Sequence, residues 1–247
     1  MRKSDSLILT IVDQLTELGL PCMATSFEAS CRSKDFFKKD IVTLMSEIVE
    51  AEYQHKISQR YQGRLKKARL IGAPQDISKC IDSKDRKYLP AGITKDLATL
   101  DFIKEGLNVC ILGPSDSGKS YLARAIGIQA CIENRVGYFH CGEFLEEMVA
   151  LKENDYPKYQ RKVKYYSKIE LVILDDFLLH TVSDEREIKV LFEIMEKRSE
   201  LGVSTIVCSQ REPKSWKSMI LNDEVSSNAI MKRATKHFTV IIKPATK

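Results

Sequence analysis

Apolar side chains in the first part of the chain recur at helical spacing. Leu7, Ile8, Ile11, Val12, Leu15 and Leu18 share one face of a predicted helix, and Gly19 with Pro21 stops that run. A second helical stretch follows. From Phe36 to about Leu70, positions Phe36, Phe37, Ile41, Leu44, Met45, Ile48 and Val49 make another helix face, which thins to Tyr53, Ile57, Tyr61 and Leu65. Residues 1–70 therefore read as a small all-α N-terminal domain.

The period is then lost. Residues 71–90, IGAPQDISKCIDSKDRKYLP, mix Gly, Pro, Ser, Asp and Lys and read as a linker. Beyond them a short helical segment, DLATLDFIKEG, gives way to apolar runs separated by helical stretches: NVCIL, VGYFH, ELVIL, VSTIVCS and HFTVII. Runs without polar alternation are strands buried on both faces, so residues 91–247 are expected to be an α/β domain, a parallel sheet flanked by helices. The last run finishes at Ile242, so no helical lid is expected after it. Internal repeats and low-complexity tracts are absent from the sequence.

Composition narrows the class. Hydrophobic residues at 43% and charged residues at 30% describe a water-soluble globular chain, not a disordered one or a disulfide scaffold. Asp5 and Asp13 interrupt the N-terminal apolar stretch too early for a membrane span or secretory signal, which predicts no membrane association and a cytoplasmic location. The 7 cysteines form no CxxC pair, so neither a zinc site nor a disulfide set is implied. A net charge of +5 is too small to establish nucleic-acid binding by itself; clustering of the cations decides that question.

The candidate chemistry starts at GPSDSGKS, which is Gly113, Pro114, Ser115, Asp116, Ser117, Gly118, Lys119 and Ser120. It fits GxxxxGK[ST] in the required context, after a predicted strand and before a predicted helix. Backbone N–H groups of such a loop face phosphates, Lys119 reaches the β and γ oxygens, and the Ser120 hydroxyl holds magnesium, which predicts ATP and Mg2+ as ligands. Asp116 is the awkward residue, since a carboxylate beside a triphosphate repels it unless the side chain turns to solvent.

ELVILDDF delivers Asp175 and Asp176 to the C-terminal end of a buried strand, the edge where ligands of open parallel sheets gather. Asp175 suits magnesium, and Asp176 suits orienting or deprotonating the attacking water. VSTIVCSQ ends in Ser209 and Gln210, either of which would set a polar group beside the γ-phosphate; a strand simply emerging into a loop reads the same way. Lys232, Arg233 and Lys236 precede the last strand, as a basic helix end or as a source of a finger into a neighbouring subunit's triphosphate.

Two stretches are basic and free of acid. Lys56, Arg60, Arg64, Lys66, Lys67 and Arg69 lie in one, and Lys158, Arg161, Lys162, Lys164 and Lys168 interleave with tyrosines in the other. Both suit contacts to a phosphate backbone, and a solvated helix face accounts for either alone. His55, His140, His180 and His237 have no ligand-like spacing, and none is given a catalytic role.

Taken in order, GPSDSGKS, LVILDDF, STIVCSQREPKSW and SSNAIMKRATKHFTVIIK resemble the IstB family of insertion-sequence transposition helpers, relatives of DnaC-type helicase loaders. The likeness covers nearly the whole chain, including the RLKKARL end of the helical region, which resembles the family's DNA-clamping region. It implies an AAA+ ATPase without a C-terminal lid that oligomerises on double-stranded DNA, with ATP between subunits, and assists a cognate transposase. The related alternative partner is a replicative helicase. By the same resemblance Arg233 is the arginine finger, and Ser209 or Gln210 the sensor. Asp116 departs from the usual small residue of these loops and Leu178 from the usual Gly, so slow, DNA-stimulated hydrolysis is expected.

Overall fold

The computed structural model of the chain describes residues 3–182, 184–220 and 224–244. Two compact units divide between Gly63 and Arg64.

The N-terminal unit holds α1 (Lys3–Glu17), α2 (Pro21–Arg32) and most of α3 (Ile41–Lys67). Gly19, at φ +74°, takes the left-handed turn that ends α1, and Pro21 opens α2 where its missing N–H does no harm. Asp40 caps α3, its carboxylate accepting the Val42 and Thr43 N–H groups, each at 3.0 Å. Glu52, buried on α3, accepts the N–H groups of Cys22 and Met23 at 2.9 and 3.1 Å and so ties down the start of α2.

The second unit carries β1 (Arg86–Leu89), α4 (Ile93–Ala98), α5 (Asp101–Lys104), β2 (Val109–Leu112), α6 (Lys119–Ala130), β3 (Val136–His140), α7 (Cys141–Asn154) and α8 (Tyr156–Lys168). It continues through β4 (Leu171–Asp175), α9 (Glu185–Glu200), β5 (Ser204–Ser209), α10 (Pro213–Met219), α11 (Glu224–Thr235) and β6 (Phe238–Pro244). The sheet order is β1-β6-β2-β5-β4-β3. All neighbours run parallel except the edge strand β1, which is antiparallel to β6. Side chains alternate across the sheet as a strand period of two requires. Cys110, Val172, Leu174 and Val207 join one core with α7, α8, α9 and α11, while Ile173 meets Gly127 of α6 on the other face. Helices thus cover both faces, the α/β arrangement expected.

Residues 71–90 differ from a free linker. Arg86–Leu89 is a strand of the sheet, and the Asp76 N–H donates to the Tyr121 hydroxyl of α6 at 3.3 Å. A four-residue edge strand flanked by charges carries too little apolar pattern to be read from sequence. Residues 245–247, behind the last strand, lie outside the described part.

Candidate functional site

Strand order creates the site. β5 lies between β2 and β4, so the loop after β2 and the acids at the end of β4 flank one strand tip. Leu112 pairs with Ser209 and Leu174 with Val207, which aligns the three strand ends at one edge of the sheet.

The loop after β2 has the shape its glycines permit. A Cβ on Gly113 would come 2.6 Å from both the Ile242 carbonyl oxygen and Ser117 Oγ, so only glycine fits there. Gly118, at φ +97°, turns the chain into α6, whose first residues are Lys119 and Ser120. Asp116 also sits in the left-handed region, at φ +58°, a conformation Asp tolerates better than most residues, and its side chain is exposed. Lys119 is buried, with Nζ donating to the Pro114 carbonyl at 2.7 Å. Burial pulls the Lys119 pKa down, and Asp175, Asp176 and Asp116 oppose that pull.

The acidic pair is divided by burial. Asp175 is fully buried; Oδ2 accepts the Tyr138 hydroxyl and Oδ1 accepts the Asp176 N–H at 3.0 Å. Burial first, and then the Asp175 charge, raise the Tyr138 pKa, so the phenol stays protonated and donates. Asp176 is half-buried, at φ +53°, with Oδ2 3.0 Å from His140 Nδ1. His140, read from sequence as an ordinary strand residue, is therefore part of the site. The available signal was position: it ends β3, in register with Asp175 at the end of β4.

A cavity of about 320 Å³ runs along this edge, lined by Ser115, Asp116, Gly118, Lys119, Ser120, Asp176 and Gln210. Of the two sensor candidates, Ser209 is buried with its hydroxyl engaged, donating to the Phe177 carbonyl at 2.8 Å and accepting the Arg211 N–H at 3.1 Å. Gln210 is exposed and lines the cavity.

The residues fit a magnesium nucleotide. Ser117 Oγ is buried in the loop with no hydrogen-bond partner, and the glycines leave a cradle that side chains would fill. Oxygen donors from Ser120 and Asp175 are those a hard cation prefers, and the donor atoms of His140, Asp175 and Asp176 lie within 4.8 Å of one another.

Arg233 is outside that lining. Its guanidinium pairs with Glu196 of α9, donates to the Ala229 carbonyl at 3.0 Å and stacks 5.6 Å from the Phe192 ring centroid. Lys232 and Lys236 are exposed.

The basic stretches are only partly available. Lys56 donates to the Gly19 carbonyl at 2.7 Å, Arg64 to the carbonyls of Cys131 and Ile132 behind α6, and both Lys162 and Arg69 pair with Glu147. Arg60, Lys66, Lys67, Lys158, Arg161 and Lys164 are exposed and carry no ion pair among the described residues. On α8 the spacing of Lys158, Arg161, Lys164 and Lys168 gives one outward basic face, while Tyr159, Val163 and Tyr166 enter the core. No helix among the described residues is long and apolar enough to cross a membrane.

Known proteins resemble the chain in family and in fold. A protein-family model described as IstB-like ATP binding protein matches residues 13–244. The ATP-binding protein of insertion sequence IS232 from Bacillus thuringiensis is 31% identical over 166 residues, covering 65% of this chain and 64% of that relative's length. An insertion-sequence ATP-binding protein of Sinorhizobium fredii is 28% identical over 211 residues, covering 85% of this chain and 84% of its own. Among solved structures, AMPPCP-bound DnaA from Aquifex aeolicus superposes with a TM-score of 0.57 at 20% identity, covering 70% of this chain and 51% of DnaA. DnaI gives a TM-score of 0.54 at 20% identity, with 69% and 88% covered. At that identity these two likenesses concern the fold alone.

Proposed function

The chain belongs to the IstB-like ATP-binding protein family, and from that premise we propose that it is a DNA-dependent ATPase that assembles on double-stranded DNA in the cytoplasm and assists a transposase. The observation that carries the reading is the meeting of the Gly113–Ser120 loop with Asp175, Asp176 and Gln210 at one sheet edge, in a chain that also presents an exposed basic helix face. Relatives described as insertion-sequence ATP-binding proteins favour a transposase over a replicative helicase as partner.

In this reading the loop N–H groups and Lys119 bind the triphosphate, and Ser120 with Asp175 would hold magnesium, which would supply neutralisation of phosphate charge. Asp176 takes the proton of the attacking water. His140 fixes the Asp176 carboxylate, since its ring nitrogen lies 3.0 Å away. Gln210 is the better sensor candidate because the Ser209 hydroxyl is already engaged at 2.8 Å. Arg233 completes a neighbouring subunit's site once it leaves Glu196. Phosphate contacts come from the exposed cations Arg60, Lys66, Lys67, Lys158, Arg161 and Lys164, with Lys56, Arg64, Arg69 and Lys162 joining where their present partners release them.

The test is ATP turnover across a titration of duplex DNA at low salt. Turnover should rise with DNA, and Lys119→Ala should remove both turnover and ATP-dependent assembly. Turnover that stays flat across the titration overturns DNA dependence.

A further inference from the structure

The segment ahead of the phosphate loop brings a cation to the nucleotide site that the motifs do not include. Arg86 opens β1, the edge strand in register with β6 through Arg86↔Pro244, and β6 lies beside β2, the strand that feeds the loop. This pairing sets the guanidinium against Gly118. A Cβ built on Gly118 would lie 2.6 Å from Arg86 Cζ and 2.7 and 3.0 Å from its two terminal nitrogens. Glycine at 118 is required by φ +97°, and the end of the Arg86 side chain occupies the space beside it.

Arg86 is half-buried and pairs with no carboxylate among the described residues. It lies near the Tyr88 phenol and the Cys80 thiol, both pushed up in pKa by burial while Arg86 pulls the other way. A half-buried guanidinium without an acid, beside the glycine at a phosphate loop's helix entrance, has five N–H donors suited to anionic oxygens. The cavity that holds Asp176 and Gln210 also reaches Gly118, the residue against which Arg86 lies.

We propose that Arg86 is a nucleotide-binding residue acting within its own subunit, donating hydrogen bonds to the α/β-phosphate portion common to ATP and ADP. The inference rests on the ATP-binding reading above. It makes the 71–90 segment one wall of the site and assigns the adenosine-proximal charge to β1.

The experiment is calorimetric binding of MgATP and MgADP to the full chain, as wild type, Arg86→Gln and Arg86→Lys, with thermal melting of each variant in the absence of nucleotide. Arg86→Gln should weaken ATP and ADP by the same factor, on the order of tenfold for a lost charge-assisted contact. Arg86→Lys should recover part of that loss because it restores charge without the fork. Undiminished affinity in Arg86→Gln overturns the inference, as does a loss confined to ATP or a lowered melting point with affinity unchanged. A wild-type chain that binds neither nucleotide sinks the ATP-binding reading itself, a result distinct from a wild type that binds while Arg86→Gln binds equally well.

Discussion

At Asp116 and Leu178 the chain holds non-glycine residues in the left-handed region, at φ +58° and +51°. The two differ in what replaces the lost comfort. Asp116 is exposed and contributes only its charge, which faces the loop that receives a triphosphate. Asp116→Gly relieves the backbone and removes that charge, so ATP affinity should rise three- to tenfold, corresponding to about 1 kcal/mol of removed repulsion; calorimetry reads it directly. No change would mean that the carboxylate is fully screened by water. Leu178 is 3% exposed and belongs to the core under α7 and α9. Glycine there would release roughly 1–2 kcal/mol of left-handed strain but forfeit about 2–5 kcal/mol of side-chain burial and cavity energy. Burial wins, and Leu178→Gly should lower the unfolding free energy by roughly 1–3 kcal/mol in urea melts.

Between elements, single polar links carry much of the order. His237, just before β6, accepts the Asn108 N–H on Nδ1 at 2.9 Å, which needs the neutral ring. The residue is exposed, and partial desolvation, followed by the neighbouring Lys236 charge, holds its pKa below the ordinary 6.5. A depressed folded value means that the unfolded chain binds the proton more readily. This contribution to stability is therefore intact above 6.5 and is lost as pH falls below it. The urea midpoint should drop as pH falls below 6.5, and His237→Ala should flatten that part of the profile. A second link joins α7 to α8, where Glu147 takes Lys162, while its other oxygen pairs with Arg69 at 3.4 Å. The Lys162 hydrogen bond, chiefly, keeps the Glu147 pKa low, so the acid stays charged and neutralises two cations beside the basic face of α8. Glu147→Gln should free both and tighten duplex binding roughly two- to fivefold at low salt, an advantage that fades as salt rises. Unchanged affinity would place the DNA path elsewhere.

Over the whole molecule, what could be read in the sequence was what local pattern encodes. The strands β2 to β6 announce themselves as apolar runs, although β6 is buried only at Val240 and Ile242, and the loop and acids announce themselves by spacing. Edge strand β1 and the roles of Arg86 and His140 depend on strand order, which no local window contains. The same holds for Arg233, whose sequence position says nothing of its partner. Within one chain it is absent from the cavity that holds Lys119 and Asp176, and is bound instead to Glu196. A site built from two copies would need Lys119 from one and Arg233 from the next, and each copy would have to release Glu196 on assembly. That arrangement has a signature no single-chain role reproduces. Lys119→Ala and Arg233→Ala chains, each inactive alone, should regain turnover when mixed on DNA, because some interfaces then join an intact loop to an intact arginine. Loss of activity that mixing does not rescue, together with a lowered melting point for Arg233→Ala, would make Arg233 a pin between α11 and α9, and Glu196→Ala would then destabilise the chain to the same extent.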